Sequence, residues 1–493
     1  MAETEFSLLP VNSSSAPTDF RAVAGLQYAA GMFCILVGTL SAILLLPEDY
    51  YEPGQLRLSA IVMALGLLSG PLLSSLQDSR VWIRAESVMM VGLIYWLLVE
   101  PLRPDYVAYQ LTRAGIVKAF VLIGVFACLI QLGSKLAHAT QGTLSPVSSA
   151  ARDFSREWLC VALLTAAGLG LLARLIPCGF SPMCMADGLF SARAEGVWVR
   201  STGGSGAFVS HLAYFGYLTL PLTIALHHRT GRVDWRVVLG GVLTTLILLY
   251  LIRDGGRRIV GMVLGAGFMT WLLLQPRLGL RQIILAAVAG FALLALLQIM
   301  FFFRLKEGGI VSGLFSGTAL NFNPLEDGLH VDNNFHYLVR TLDLIPEFKN
   351  HTGWEAILYW AVRPIPRVFW PDKPMTPGIW LPYEFDEMWS AGFTITTSAI
   401  GDWYIAFGVW SVAIAALLMG YFGGKLVLAW LGPTVRQKLL YSLGLMWLFI
   451  GLRNYLELML MSYPILALYL LDRLSARREI KSAAEPVPLE ARP

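Results

Sequence analysis

The sequence predicts an all-α polytopic membrane protein with about twelve transmembrane helices and one large extramembrane loop carrying amphipathic and re-entrant helices. Two observations lead there. Of 493 residues, 56% are hydrophobic and only 14% charged, where soluble domains carry about 25% charged residues; mean hydropathy is +0.61. The apolar residues also fall in long runs. Backbone groups in lipid must be paired internally, which leaves helices or closed barrels, and runs of this length exclude the alternation of a barrel strand.

Taken in order, residues 1–21 are a polar tail, unlike a cleaved signal peptide. Residues 22–303 hold nine spans, near 23–46, 58–76, 82–100, 114–134, 157–176, 207–227, 236–252, 259–275 and 282–303. A smaller loop, 177–206, interrupts them, and a large loop, 304–397, follows. Residues 398–472 supply three more spans, near 398–422, 438–453 and 456–472, and 473–493 form a tail.

Short-loop charge places the N-terminus in the cytoplasm. Arg80, Arg84, Lys135 to Arg156, Arg229 to Arg236, Arg277, Arg281 and Lys425 to Lys438 then share the inner face, and the acidic Glu48 to Glu52 loop lies outside. The Arg253 to Arg258 turn and the 304–397 loop are basic yet fall outside, so their cations need another purpose. Binding an anion is the simplest.

In the smaller loop, Arg193 and Arg200 precede Ser-Thr-Gly-Gly-Ser-Gly, which suits either an ordinary turn-rich loop or a flexible phosphate approach. In the large loop, Phe335, Leu338, Val339, Leu342 and Ile345 repeat at helical spacing. Asn333, His336, Arg340 and Asp343 form the opposite edge of an amphipathic helix, expected along the membrane surface or over a cavity. That edge is either a solvated face or a pairing of a base, His336, with a cation, Arg340. Trp354 to Val362 is too short to span and reads as re-entrant or interfacial.

Arg363-Pro-Ile-Pro-Arg367-Val-Phe-Trp-Pro-Asp-Lys373-Pro follows. Its prolines make it extended and stiff, which suits either a topology signal or an anion holder. Trp370, Trp380, Tyr383, Trp389 and Trp403 suit interfacial anchoring or stacking on sugars. Asp402, Arg453 and Glu457 are ionisable groups at the ends of spans and are functional candidates. Arg453 and Glu457 are also spaced to pair with each other.

Converging on one face, Arg193, Arg200, Arg257, Arg340, Arg363, Arg367, Lys373 and Arg453 would suit a diphosphate head group, since Arg binds phosphate bidentately. Fixed cations stabilise a departing diphosphate, and Asp402 or His336 is the candidate base for an accepting hydroxyl. No cofactor motif, DxD, HExxH or tight acidic group calls for a metal, and nothing marks nucleic-acid binding. Of five cysteines, Cys178 and Cys184 share one loop and can pair in an oxidising compartment.

The order Asn333-Asn334-Phe335, Leu342-Asp343-Leu344-Ile345-Pro346, Arg363 to Pro374, then Gly401-Asp402-Trp-Tyr and Phe407-Gly408 resembles the C-terminal half of bacterial O-antigen and exopolysaccharide repeat-unit polymerases of the Wzy type. Arg193 to Gly204 and Arg367 to Gly378 match the family's R-x10-G spacing, and Gly255-Gly256-Arg257 is similar to its Gly-Ser-Arg turn. Asp402 stands where many members carry Glu. The resemblance covers 205–460, with the first half alike only in topology.

It implies an inverting, metal-independent glycosyltransferase of the bacterial inner membrane, its active site facing the periplasm, as the 177–206 and 304–397 loops would. Donor and acceptor would be undecaprenyl-diphosphate-linked oligosaccharides, with a chain-length regulator as a further partner. An O-antigen ligase, acting on a lipid acceptor, is the nearest alternative; a glycolipid flippase or other transporter is one from a different class.

Overall fold

A computed structural model describes residues 20–76, 79–140, 153–190, 209, 211–254, 256–275, 280–303, 331–362, 365, 369–374, 377–385, 395–430, 434–454, 458, 461–471 and 474. Every regular element among them is helical. We number the helices α1 Phe20–Leu44, α2 Arg57–Ser75, α3 Ala85–Leu102, α4 Arg113–Ala139, α5 Arg156–Leu175, α6 Pro182–Phe190, α7 Thr219–Thr230, α8 Trp235–Arg253 and α9 Arg257–Leu274. They continue as α10 Leu280–Phe303, α11 Asn334–Leu344, α12 Trp354–Val362, α13 Pro377–Glu384, α14 Ser398–Phe407, α15 Val409–Trp430, α16 Val435–Gly451 and α17 Met461–Leu471.

Seven of the described helices are long and apolar enough to cross a membrane: α2, α3, α4, α5, α8, α9 and the Val409–Leu428 part of α15. Shorter apolar helices cover Tyr28–Leu44, Ile284–Met300 and Met461–Leu471. Large side chains such as Phe33, Val161, Phe291 and Trp410 point outward from these helices, as expected where the solvent is lipid.

Lipid tails are as apolar as the helices, so association relies on close backbone packing. A Cβ on Gly38 of α1 would come within 2.8 Å of Gly66 Cα of α2. The tighter seam joins α4 to α15: a Cβ on Gly420 would sit 2.1 Å from the Ile130 carbonyl oxygen, and one on Gly133 2.3 Å from that of Leu417.

Loops gather at two ends. At one, Asp153 accepts from the Arg436 backbone N–H (2.9 Å) and pairs with Arg229 (3.5 Å), Arg156 pairs with Asp234, and Lys425 Nζ donates to the Ala137 carbonyl (3.1 Å). These are the loops that the charge pattern groups on one face. At the other end, Gly54 N–H donates to the Tyr106 carbonyl (2.9 Å), Thr112 Oγ1 donates to Asp343 (2.8 Å), Arg174 pairs with Asp254, and Tyr250 Oη donates to the Met185 carbonyl (3.2 Å). Cys178 and Cys184 form a disulfide here.

Three expectations need correction. The span expected at 398–422 is two helices, α14 and α15, broken at Gly408, whose φ of 68° favours glycine. The span expected at 207–227 has a 3-10 turn, Ala213–Leu218, before α7. Of the two settings expected for the 332–345 helix, along the membrane surface or over a cavity, the first is corrected: α11 is set in protein, with Phe335, Leu338, Val339, Thr341 and Leu342 buried and packing on α4 and α14. Hydropathy measures apolar content, so it cannot register a break in an apolar run or a covering element that is remote in sequence.

The α4–α15 seam gives a direct test. Gly420→Val should destabilise the protein by at least the ~1–3 kcal/mol typical of overpacking, seen as a lower thermal midpoint in detergent. Gly241→Ala, with open space around its Cβ, should leave the midpoint within error of wild type.

Candidate functional site

The site is assembled where α8 turns into α9. Asp254 ends α8 in pairs with Arg174 and Arg253, Gly256 turns the chain, and α9 starts with Arg257 and Arg258. Cations at a helix N-terminus oppose the helix dipole, so two arginines there call for an anion nearby. Asp332 supplies one. Its Oδ1 accepts from an Arg257 terminal nitrogen at 3.1 Å, and its Oδ2 from Arg453 Nε at 2.7 Å. Burial raises the Asp332 pKa, but Arg453 and Arg257 outweigh it and hold the carboxyl well below the usual range.

Asp332 is held in place by the start of α11. Glu100, a buried acid at the end of α3, accepts from the backbone N–H of Phe335 (2.8 Å) and His336 (3.3 Å). It therefore caps α11 from another element, one carboxyl oxygen accepting from two of the N–H groups that the first turn leaves free. Asn334 Nδ2 donates to the Trp96 carbonyl (3.1 Å), and Thr396 Oγ1 donates to Asn334 Oδ1. Trp96 lies in a π-helical turn, Ile94–Leu98, a distortion common at functional sites. Its indole donates to the Phe449 carbonyl (2.9 Å), and Arg453 stands over its ring at 5.8 Å.

Beside this cluster opens a cavity of about 310 Å³, within the range of small-molecule sites. Tyr95, Trp96, Arg257, Arg258 and Asp332 form its polar end, while Val91, Phe268, Leu293, Leu297, Met446 and Phe449 are among its apolar walls. On α9 alone the lining runs from Arg257 to Met269, about 18 Å at 1.5 Å per residue. Gly261 and Gly265 lie one turn apart along that face, and their missing side chains make room for Leu297 and Met446 of the facing walls. The arrangement suits an amphiphile with an anionic head and a long apolar tail.

The other expected site residues fall differently. His336 and Arg340 do share an edge of α11. Burial first, then Arg340, push the His336 pKa down to about 4, so its imidazole is neutral at pH 7. Arg340 donates to the Phe385 carbonyl (3.1 Å) and lies over the Phe385 ring (4.2 Å), tying α11 to the end of α13. Lys373 is buried, and its Nζ donates to the Ile365 carbonyl (2.8 Å), bringing these two residues together. Asp402 is buried on α14 and accepts from Thr397 Oγ1 (3.1 Å); α14 is pinned near Arg453 by a bond from Ala399 N–H to the Leu452 carbonyl (2.9 Å).

Arg193, Arg200, Arg363 and Arg367, with Glu457, lie outside the described residues. Among the described residues no three His, Cys, Asp or Glu side chains group as metal ligands. Sequence reasoning passed over Asp332, Glu100, Tyr95 and Trp96, and took Arg258 only as part of a basic turn. Glu100 had a usable signal, an acid at the end of a long apolar run; Asp332 had only its place beside Asn333. No protein-family model matches the chain, nor does any curated protein or solved structure it was compared with.

The His336 shift has a stability consequence. Between pH 6.5 and about 4 the unfolded chain takes up a proton at this position that the folded chain refuses, so stability falls as pH drops through that window. His336→Gln should lose less of its thermal midpoint than wild type between pH 7 and pH 4.5; equal losses would mean that His336 does not titrate this way.

Proposed function

We propose that the protein is a membrane glycosyltransferase that polymerises undecaprenyl-diphosphate-linked oligosaccharide repeat units. The observation that carries this reading is the union of an arginine cluster, Arg257, Arg258 and Arg453, with an apolar lane along α9, α10 and α16. Guanidinium groups match the head group of a polyprenyl diphosphate bidentately, and the lane matches the start of its chain. The Cys178–Cys184 disulfide at the same end supports an outward-facing site in an oxidising compartment, the periplasm of a bacterial inner membrane protein.

In this reading the hydroxyl of the acceptor repeat unit attacks the anomeric carbon of the donor glycan. A new C–O bond forms with inversion, and the bond to the diphosphate oxygen breaks. The diphosphate leaves with the electron pair into the field of Arg257 and Arg453, electrostatic stabilisation of the kind a metal supplies in other glycosyltransferases. The hydroxyl proton passes to a base. His336 is neutral at pH 7, but burial and Arg340 make it a weak base as the site stands; Asp402 is the other candidate. Arg193, Arg200, Arg363 and Arg367 remain proposed diphosphate ligands on the charge pattern of their loops. Arg340 and Lys373, bonded to backbone carbonyls, are better suited to shaping the loop.

Purified protein supplied with lipid-diphosphate repeat units should yield a ladder of polymer on a gel. Transfer of glycan to a lipid acceptor without a ladder would instead identify a ligase, and transbilayer movement of unchanged glycolipid a transporter. Arg257→Ala should reduce ladder formation by about 100-fold, the scale of losing one electrostatic contact to a leaving group. Gly261→Leu, which adds bulk to the lane wall, should weaken binding of a long-chain lipid diphosphate while sparing inorganic pyrophosphate; equal loss of both would place the chain elsewhere.

A further inference from the structure

Asp332 holds the ground that an anionic ligand needs. Its two carboxylate oxygens accept from Arg257 at the start of α9 and Arg453 in the turn after α16, and it lines the polar end of the cavity beside Arg258. A phosphate placed on the same guanidinium N–H groups would compete for the donors and would be repelled by the carboxylate. Both occupants cannot hold the same positions.

We propose that Asp332 is a counter-ion latch: it stands in for a phosphate group in the resting protein and must withdraw when a polyprenyl diphosphate binds. This rests on the anion-site reading given above. Residues 331–333 are non-helical and lead into α11, and the Asp332 side chain is 29% exposed, against 12% for Arg257 at the start of α9 and 5% for Arg453 in the turn after α16. The mobile partner is therefore Asp332. Its withdrawal would loosen one tie on the segment carrying His336, leaving the Glu100 cap in place. Ligand binding at the arginines would thereby be coupled to the position of a candidate base. In the empty protein the same carboxylate keeps clustered guanidinium groups from repelling one another.

A general base at this position would behave differently. Removing a base slows the reaction and leaves ligand affinity unchanged, whereas removing a competing anion raises affinity. The test uses full-length protein in nanodiscs and farnesyl diphosphate as the probe, with binding measured by calorimetry at fixed salt. Asp332→Asn should bind the probe at least tenfold more tightly than wild type, and Asp332→Glu, which retains the acid, should not. Binding by wild type with equal or weaker binding by Asp332→Asn would overturn the latch alone. No binding by either protein, or unchanged binding by Arg257→Gln, would overturn the anion site and the latch with it.

Should Asp332→Asn fail to fold, wild-type protein still decides. Hydrogen exchange across 331–334, the residues ahead of the capped Phe335 N–H, should rise when farnesyl diphosphate is added. A fall, or no change at saturating probe, would mean that Asp332 stays between the arginines.

Discussion

One carboxylate shared by two guanidinium groups organises this end of the protein. Arg257 and Arg453 stand 196 positions apart in the chain, and Asp332 joins them from the loop between. A cluster of buried cations is not stable without a counter-charge. The acid therefore allows the start of α9 and the turn after α16 to present their arginines at one place, and it ties the loop helix α11 to both. The Glu100 cap serves the same end from below, since it fixes where α11 begins and hence where Asp332 reaches.

The membrane core is arranged to leave this corner open. Elsewhere glycines let helices touch backbone to backbone, as at Gly420 and Ile130. Along α9, glycines at 261 and 265 instead border the cavity. The π-helical turn in α3 rotates Trp96 so that its indole meets the Phe449 carbonyl and its own carbonyl meets Asn334. A regular helix would present a different face at these residues, and the wall between the lane and the arginines would be built otherwise.

Much of the helical layout was legible in the sequence because apolar run length and loop charge report directly on what crosses lipid and what gathers at each end. The two clusters of loop contacts follow the charge grouping closely. The break at Gly408 was hidden by unbroken hydropathy, although a glycine at the end of Ser398–Phe407 marked where a left-handed residue was available. At the site, Arg257 and Arg453 were legible as cations out of place. Asp332 was not, because a single acid in a loop carries no pattern until two arginines from elsewhere close on it. The reverse held for Arg340 and Lys373: their charge drew attention, but their partners are backbone carbonyls that composition does not reveal. His336 looked like a solvated residue or a base, and its neutrality depends on burial by neighbours remote in the chain.

The central claim is that the lane and the arginine cluster are one lipid-diphosphate site. An electron cryo-microscopy structure of the protein in nanodiscs with an undecaprenyl-diphosphate oligosaccharide tests it most directly. The account predicts phosphate density in contact with Arg257 and Arg453, the prenyl chain between α9, α10 and α16, and Asp332 turned away. Phosphates bound elsewhere, with the lane filled by ordinary lipid and Asp332 still between the two arginines, would contradict it.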